Sequence, residues 1–338
     1  MAAPSADRSG PQIFLVLLTL VGFIALVGGV SHLEPRTDPA PGSPRQPPAA
    51  PTAPATPGSG GAGRVAPAPL PASSAQAPEL PGGGREVFAP GRFLVAYYGT
   101  AGSGALGVLG EATPDRIMPR LRRAAAPFAR GGASVVPVLE LIVTVAHASP
   151  TPTGHYSSNI RRADVRRYIE AAHRYGALVV LDLQPGRADF LAVARTWEWA
   201  LKDPWVGLAL DPEWRMGPHG VPGRRIGSVS AAEVNRVSQW LDDLTAADGL
   251  PQKLFLLHQF RVDMLRHVER IERREHLAMV QHVDGFGTPR QKLATFHHVV
   301  RPRRFTLGFK LFYDEDVPRM RAAQVLAVRP RVRYVSFQ

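Results

Sequence analysis

The stretch VGLALDPEW (206–214) begins as an apolar run and ends on two acids set two positions apart. Side chains of a strand alternate between faces, so Gly207, Ala209, Asp211 and Glu213 share one side. Val206, Leu208, Leu210 and Pro212 share the other. A small-then-acidic row suits the lumen of a closed barrel, and a bulky row suits the helices around it. Seven more apolar runs end in the same way: Phe93–Gly99, Val135–Ala146, Leu178–Gln184, Leu254–Phe260, Ala278–Phe286, Phe305–Asp314 and Tyr334–Gln338. Helix-like segments separate them. Eight β-rich runs alternating with helices predict an α/β fold of the (β/α)8, TIM-type barrel class.

In that fold the C-terminal strand ends carry the active site. Here they carry Tyr98, Glu140, Asp182 and Gln184, Asp211 and Glu213, His258, His282 and Asp284, Lys310 and Asp314, and Gln338. Among the helical patterns, Arg161–Tyr175 sets Val165, Tyr168, Ile169 and Ala172 at helical spacing. Ala231–Leu244 follows Ser230 with Glu233 three positions on, the pattern of a capping box. Its Val234, Val237, Trp240 and Leu241 form one apolar stripe, so Trp240 is expected to pack rather than bind. The chain stops at the eighth strand, so no closing helix is expected, and Glu86–Gly91 is expected to cover the barrel bottom.

The 338 residues contain no Cys, which excludes disulfides, thiolate catalysis and Cys–zinc sites. The net charge is +12, and residues 1–85 hold only five Lys/Arg against four Asp/Glu, so the excess lies downstream. Only Lys202, Lys253, Lys292 and Lys310 are lysines; the other basic residues are Arg. With the abundant Ala, Gly and Pro this fits a GC-rich genome, and it also suits an anionic envelope polymer or lipid as partner. No basic-aromatic module or helix-turn-helix is present, so no nucleic-acid partner is expected.

Ile13–Val30 is uncharged and apolar, and at 1.5 Å per residue spans roughly 27 Å, about a bilayer core. With Arg8 before it, residues 1–34 read as a cytoplasmic tail and transmembrane signal anchor, a cleaved signal being the alternative. Both place the remainder outside the cell membrane. Residues 35–85, rich in Pro, Ala, Gly and Ser, read as a disordered stalk of up to roughly 150 Å. Residues 86–338 are the expected barrel domain.

The acids at 211 and 213 suit glycosidic cleavage. One carboxyl must stay protonated to protonate the leaving oxygen, and a carboxylate beside it raises its pKa. Glu213 is the expected general acid and Asp211 its electrostatic partner. Asp182, Asp284 and Glu140 are candidates for base or nucleophile. Tyr98, Gln184, His258, His282, Lys310 and Asp314 are expected to bind hydroxyls, and Trp214 to stack on a sugar ring. The competing reading of the acids is a salt-bridge or capping network. Four acids converging from strands two, three, four and six strain that reading, because like charges repel. A barrel that binds polysaccharide without catalysis, or scaffolds the envelope, remains open.

His258 and His282 end neighbouring strands, as in metal-dependent amidohydrolase barrels. The first strand offers no His-x-His, only Tyr97 and Tyr98, so no metal is expected; a phosphodiesterase using the two histidines is a further alternative. Gly102, Gly104 and Gly107 match G-x-G-x-x-G, but Pro114 and Pro119 interrupt the helix a dinucleotide site needs. No cofactor is expected, and this segment reads as a flexible mouth loop that substrate approaches closely.

The stretches AYYGTAGSGALGVLGE (96–111), VPVLELIVTVA (136–146), LVVLDLQPGRADF (178–190), VGLALDPEWRM (206–216), LHQF (257–260), HVDGFG (282–287) and GFKLFYDED (308–316) resemble an uncharacterised family of exported actinobacterial proteins. That resemblance covers about residues 93–338 and implies fold and export rather than chemistry. More distantly, the Asp-x-Glu at 211–213 is similar to that of chitinase-like and lysozyme-like glycoside hydrolase barrels. The resemblance implies Glu213 as general acid and Asp211 as the assisting residue. The fuller acidic run of chitinases is absent here.

Overall fold

Strand pairing runs a full circle. In the computed structural model, which describes residues 77–338, eight strands follow in order. They are β1 (Arg92–Thr100), β2 (Ser134–Ala146), β3 (Leu178–Leu183), β4 (Val206–Leu210), β5 (Lys253–Gln259), β6 (Leu277–Val283), β7 (Thr306–Leu311) and β8 (Val332–Phe337). Each pairs in parallel with the next, and β8 pairs with β1 through Leu94↔Tyr334 to Tyr97↔Phe337. Closure leaves no open edge, and the architecture is a TIM-type α/β barrel.

Alternation divides the strands as the sequence pattern requires. Leu94, Ala96, Val136, Val138, Leu178, Val180, Ala209, Leu254, Leu256, Ala278, Val280 and Tyr334 fill the lower lumen as one buried cluster. One step further up each strand the inward side chains become polar. The outward set, including Val95, Leu139, Val179, Leu208, Phe255 and Phe309, packs against the helices.

Those helices are α1 (Pro114–Ala125), α2 (Arg162–Tyr175), α3 (Phe190–Thr196), α4 (Ala231–Ala247), α5 (Pro289–Val299) and α6 (Ala322–Leu326), with one further helical turn at Glu198–Leu201 after α3. Val165, Tyr168 and Ala172 of α2 and Val234, Val237 and Leu241 of α4 are buried, with Trp240 packed at the edge of the core. The capping box of α4 is only half made. Ser230 accepts from the Glu233 amide, but the Glu233 carboxylate turns to Arg215 Nε at 2.8 Å and the Phe190 amide at 3.0 Å. No α-helix joins β5 to β6, only 3-10 turns over Val262–Met264 and Val268–Arg270. Leu265–Arg266 instead pairs with Val229–Ser230 in a short parallel ladder, and His267 turns the chain at φ 58°. Backbone groups committed to the ladder are withheld from a helix.

Three strands stop three or four residues earlier than their apolar runs suggest. β4 ends at Leu210 because Pro212 has no N–H to donate and Asp211 caps a 3-10 turn over Pro212–Trp214. β6 ends at Val283, which leaves Asp284 to Phe286 in a loop. β7 ends at Leu311, so Asp314 lies exposed on a turn rather than in the mouth. The three acids at 314–316 do not cap α6, whose N-cap is Arg321. Asp316 instead accepts from the amides of Gly287 and Phe312 and pairs with Lys292 at 3.0 Å.

The compact unit Ala77–Gln338 begins inside the segment expected to be stalk. Leu80 and Val87 close the lower lumen together, so the bottom cover extends beyond Glu86–Gly91. Arg85 donates to the Leu250 carbonyl at 2.8 Å, and Arg92 to that of Gly83 at 2.8 Å. Among the described residues no helix is long and apolar enough to cross a membrane. Ile13–Val30 and most of the expected stalk lie outside the described residues.

Candidate active site

Inward positions on seven of the eight barrel strands contribute to one polar layer, β4 presenting Ala209 at this level. β1 gives Tyr98, β2 Glu140, β3 Asp182, β5 His258, β6 His282, β7 Lys310 and β8 Ser336, all at most 3% exposed. His258 is the hub. Its Nε2 lies 2.9 Å from Glu140 Oε1 and 3.9 Å from Asp182 Oδ1, and its Nδ1 lies 2.9 Å from Asp284 Oδ2. Glu140 Oε2 accepts from Tyr334 OH at 2.8 Å. Asp182 Oδ2 accepts from Tyr98 OH at 3.0 Å, and Gln184 Nε2 donates to that hydroxyl at 3.3 Å. His282 Nε2 meets Ser336 Oγ at 3.0 Å, while its Nδ1 lies 3.7 Å from Glu140 Oε1. The Lys310 ammonium sits 3.4 Å from the centroid of the Tyr98 ring, a close cation–π contact.

Burial drives protons off cations and onto carboxylates, and pairing opposes it. At His258 burial would expel the proton, but hydrogen bonds to Asp284 and Glu140, and their charges, hold its pKa well above the usual range. His258 is therefore an imidazolium at neutral pH. Burial takes His282 down to about 3, against the attraction of Glu140, so this ring is neutral. Glu140 is held down at about 2 despite burial, by His282 (itself charged at such pH), by the His258 hydrogen bond and charge, and by Lys310. Asp284 stays below its usual range against burial, through its bond to His258. Burial lifts Asp182 to about 6, with His258 opposing and Glu140 adding.

Above this layer sits the Pro212–Trp214 turn. Asp211 Oδ1 accepts from the Glu213 amide at 3.1 Å, and burial pushes its carboxyl well above the usual range. Glu213 keeps part of its surface exposed. Its carboxyl has no hydrogen-bond partner among the described residues, and surrounding protein, then the Asp284 charge, push it up to about 7. The turn is fixed from behind: the Gly227 amide donates to the Glu213 carbonyl at 2.7 Å. A Cβ on Gly227 would stand 2.5 to 2.7 Å from the carbonyl oxygens of Pro212, Glu213 and Arg215. Trp214 is also partly exposed, and Phe286, on the loop after β6, is 36% exposed.

Of the residues expected in the site, Tyr98, Glu140, Asp182, Gln184, His258, His282, Asp284 and Lys310 converge in or just above the polar layer. Asp211 and Glu213 come together above it on the capped turn, and Asp314 stays apart on the rim. Tyr98 and His258 spend their polar groups on the acids, and Gln184 donates to Tyr98 and accepts from the Ala146 amide. The glycine loop after β1 is folded onto the strand tip rather than open. A Cβ at Gly107 would run into the Tyr98 carbonyl, and one at Gly110 into the carbonyls of Thr100 and Ser103. The sequence reading missed Tyr334 and Ser336, whose signal is their shared parity on β8. It also missed the buried Lys292–Asp316 pair. No protein-family model matches the chain, and no curated protein matches it. The fold and the site themselves define the class: a TIM-type barrel whose mouth holds an elevated carboxyl over a layer of carboxylates and histidines.

Proposed function

We propose that this barrel is a hydrolase of the glycoside hydrolase type, acting outside the membrane on a cell-envelope or extracellular polysaccharide. The observation that carries this reading is Glu213, a partly exposed, unpaired carboxyl at the barrel mouth lifted to about 7 beside an ionised Asp284. A carboxyl so placed keeps its proton near neutral pH and can deliver it to a leaving sugar oxygen. As the glycosidic C–O bond breaks, the proton of Glu213 goes to the departing oxygen and leaves a carboxylate. Asp284 is the second carboxylate. Its Oδ2 is held by His258, and its Oδ1 is buried without a partner among the described residues. Turned toward the mouth, this carboxylate stabilises the positive charge at the sugar carbon and either attacks that carbon or takes the proton of the attacking water. The two routes differ in product anomer, and carboxyl separations of about 5–5.5 Å and 6.5–9.5 Å distinguish them.

Asp211, its carboxyl pushed up by burial and engaged with the Glu213 amide, serves to shape the turn. Asp182 and Glu140 hold the buried layer rather than meeting sugar. Trp214 and Phe286 offer apolar faces on which sugar rings stack. A two-histidine phosphodiesterase is less well supported, because His258 is engaged at both nitrogens by carboxylates. The full chain, incubated with envelope glycans, should release reducing ends, and the Glu213→Gln variant should bind the same glycan without releasing them. Binding by both without release by either would make the barrel a glycan-binding module. Absence of both would remove the polysaccharide reading.

A further inference from the structure

The buried layer has one feature that proton transfer at the mouth leaves unused. Among the described residues, His282 Nδ1 and Asp182 Oδ1 are fully buried and have no hydrogen-bond partner. Leaving such atoms buried and unpaired is unfavourable. They lie on either side of the Glu140–His258 contact. His282 Nδ1 is 3.7 Å from Glu140 Oε1, and Asp182 Oδ1 is 3.9 Å from His258 Nε2. Donor atoms of Glu140, His258 and His282 all fall within 4.8 Å of one another.

We propose that Glu140 Oε1, His258 Nε2, His282 Nδ1 and Asp182 Oδ1 form a buried site for one divalent first-row transition-metal ion. Bonds of about 2.0–2.1 Å at tetrahedral angles place donor atoms roughly 3.3 Å apart. The separations of 2.9 and 3.7 Å about Glu140 Oε1 bracket that value, while Asp182 Oδ1, 3.9 Å from His258 Nε2, lies outside the three-residue cluster and must swing in to complete the sphere. Two carboxylates balance the charge of the ion. Two imidazoles favour a transition metal over calcium or magnesium, which take oxygen ligands.

The support around these atoms is the stronger argument. Each ligand is held through its other polar atom: Glu140 by Tyr334, Asp182 by Tyr98, His258 by Asp284 and His282 by Ser336. A histidine that binds a metal through one nitrogen almost always gives its other N–H to a carboxylate, carbonyl or water, as His258 Nδ1 is placed to do with Asp284. The proton on His258 Nε2 leaves to solvent as the ion binds, and the Glu140 contact opens to admit it. The missing His-x-His on β1 removes the amidohydrolase pattern but not this set, which draws on β2, β3, β5 and β6.

The proposal stands apart from the sugar reading, and its test reads metal rather than turnover. The untagged full chain is refolded with Zn²⁺ or Co²⁺ and dialysed against a weak chelator. About one equivalent per chain should remain, and Co²⁺ should give the intense visible bands of a four-coordinate site. Asp182→Asn and His282→Gln should each weaken Zn²⁺ binding by more than tenfold, the scale on which even supporting partners act. His298→Gln, at an exposed histidine, should bind as wild type. Glu213→Gln should also bind as wild type, which separates this site from the acid at the mouth. Less than a tenth of an equivalent retained by correctly folded wild type would overturn the proposal. So would unchanged affinity in both ligand variants.

Discussion

Glu213 and Asp284 carry opposite demands at one mouth. A general acid must hold its proton, and its partner must not. Glu213→Gln keeps the size of the side chain and removes only the transferable proton, so turnover on a confirmed glycan should fall by about 10²–10⁴-fold while binding survives. The pH profile should carry the same signature. Activity requires protonated Glu213, so the rate should fall as pH rises through about 7. Asp284 is one of the groups that raises that value, its negative charge opposing ionisation of Glu213. Asp284→Asn removes the charge, lowers the pKa of Glu213 and should move the alkaline limb to lower pH. Rate profiles of the two proteins on the same unactivated glycan measure the shift, read for Asp284→Asn on the residual rate left after loss of the second carboxylate. A limb that stays in place would mean that Glu213 is not the titrating acid.

The strands were readable because closure imposes a period of two. Leu94, Ala96 and Tyr98, or Leu254, Leu256 and His258, show the change from apolar lumen to polar mouth before any coordinates are known. What the pattern misses is where a ladder ends. The run from Val206 to Trp214 looks continuous, yet a proline and an Asp cap stop the strand at Leu210 and turn Glu213 onto a 3-10 turn. The ring of acids was legible, while its pairing was not, because alternation says which side chains point inward but not which of them touch. Gly227 shows the same limit, since its value lies in three carbonyls of a distant turn. Gly227→Ala should push that turn outward, lowering kcat by tenfold or more on the glycan that wild type cleaves, with the circular dichroism spectrum of the barrel unchanged. Wild-type turnover in this variant would show that the position of Glu213 does not depend on the backing loop.

At the scale of the molecule, the barrel has a polar C-terminal mouth and an apolar floor, and the floor is completed by chain that precedes the first strand. If Ile13–Val30 is an anchor, the full-length protein should stay in the membrane fraction, and protease added outside should release a fragment close to residues 77–338. The start of that fragment is a physical question. Leu80 is 4% exposed and packs under the lumen beside Val87. The Glu79 carbonyl accepts from Trp205 Nε1 at 2.7 Å, and Gly83 accepts from the buried Arg92 guanidinium at 2.8 Å. Burying a leucine is worth about 1.5–3 kcal/mol, and each bond to a buried donor adds roughly 1 kcal/mol. A fragment of residues 86–338 keeps all eight strands but loses these contacts and opens the floor to water. It should fold, with a urea midpoint corresponding to about 4 kcal/mol less stability than 77–338 and a nearly unchanged slope. Equal midpoints would mean that the segment before Glu86 only rests on the barrel, and that Val87 alone closes the floor.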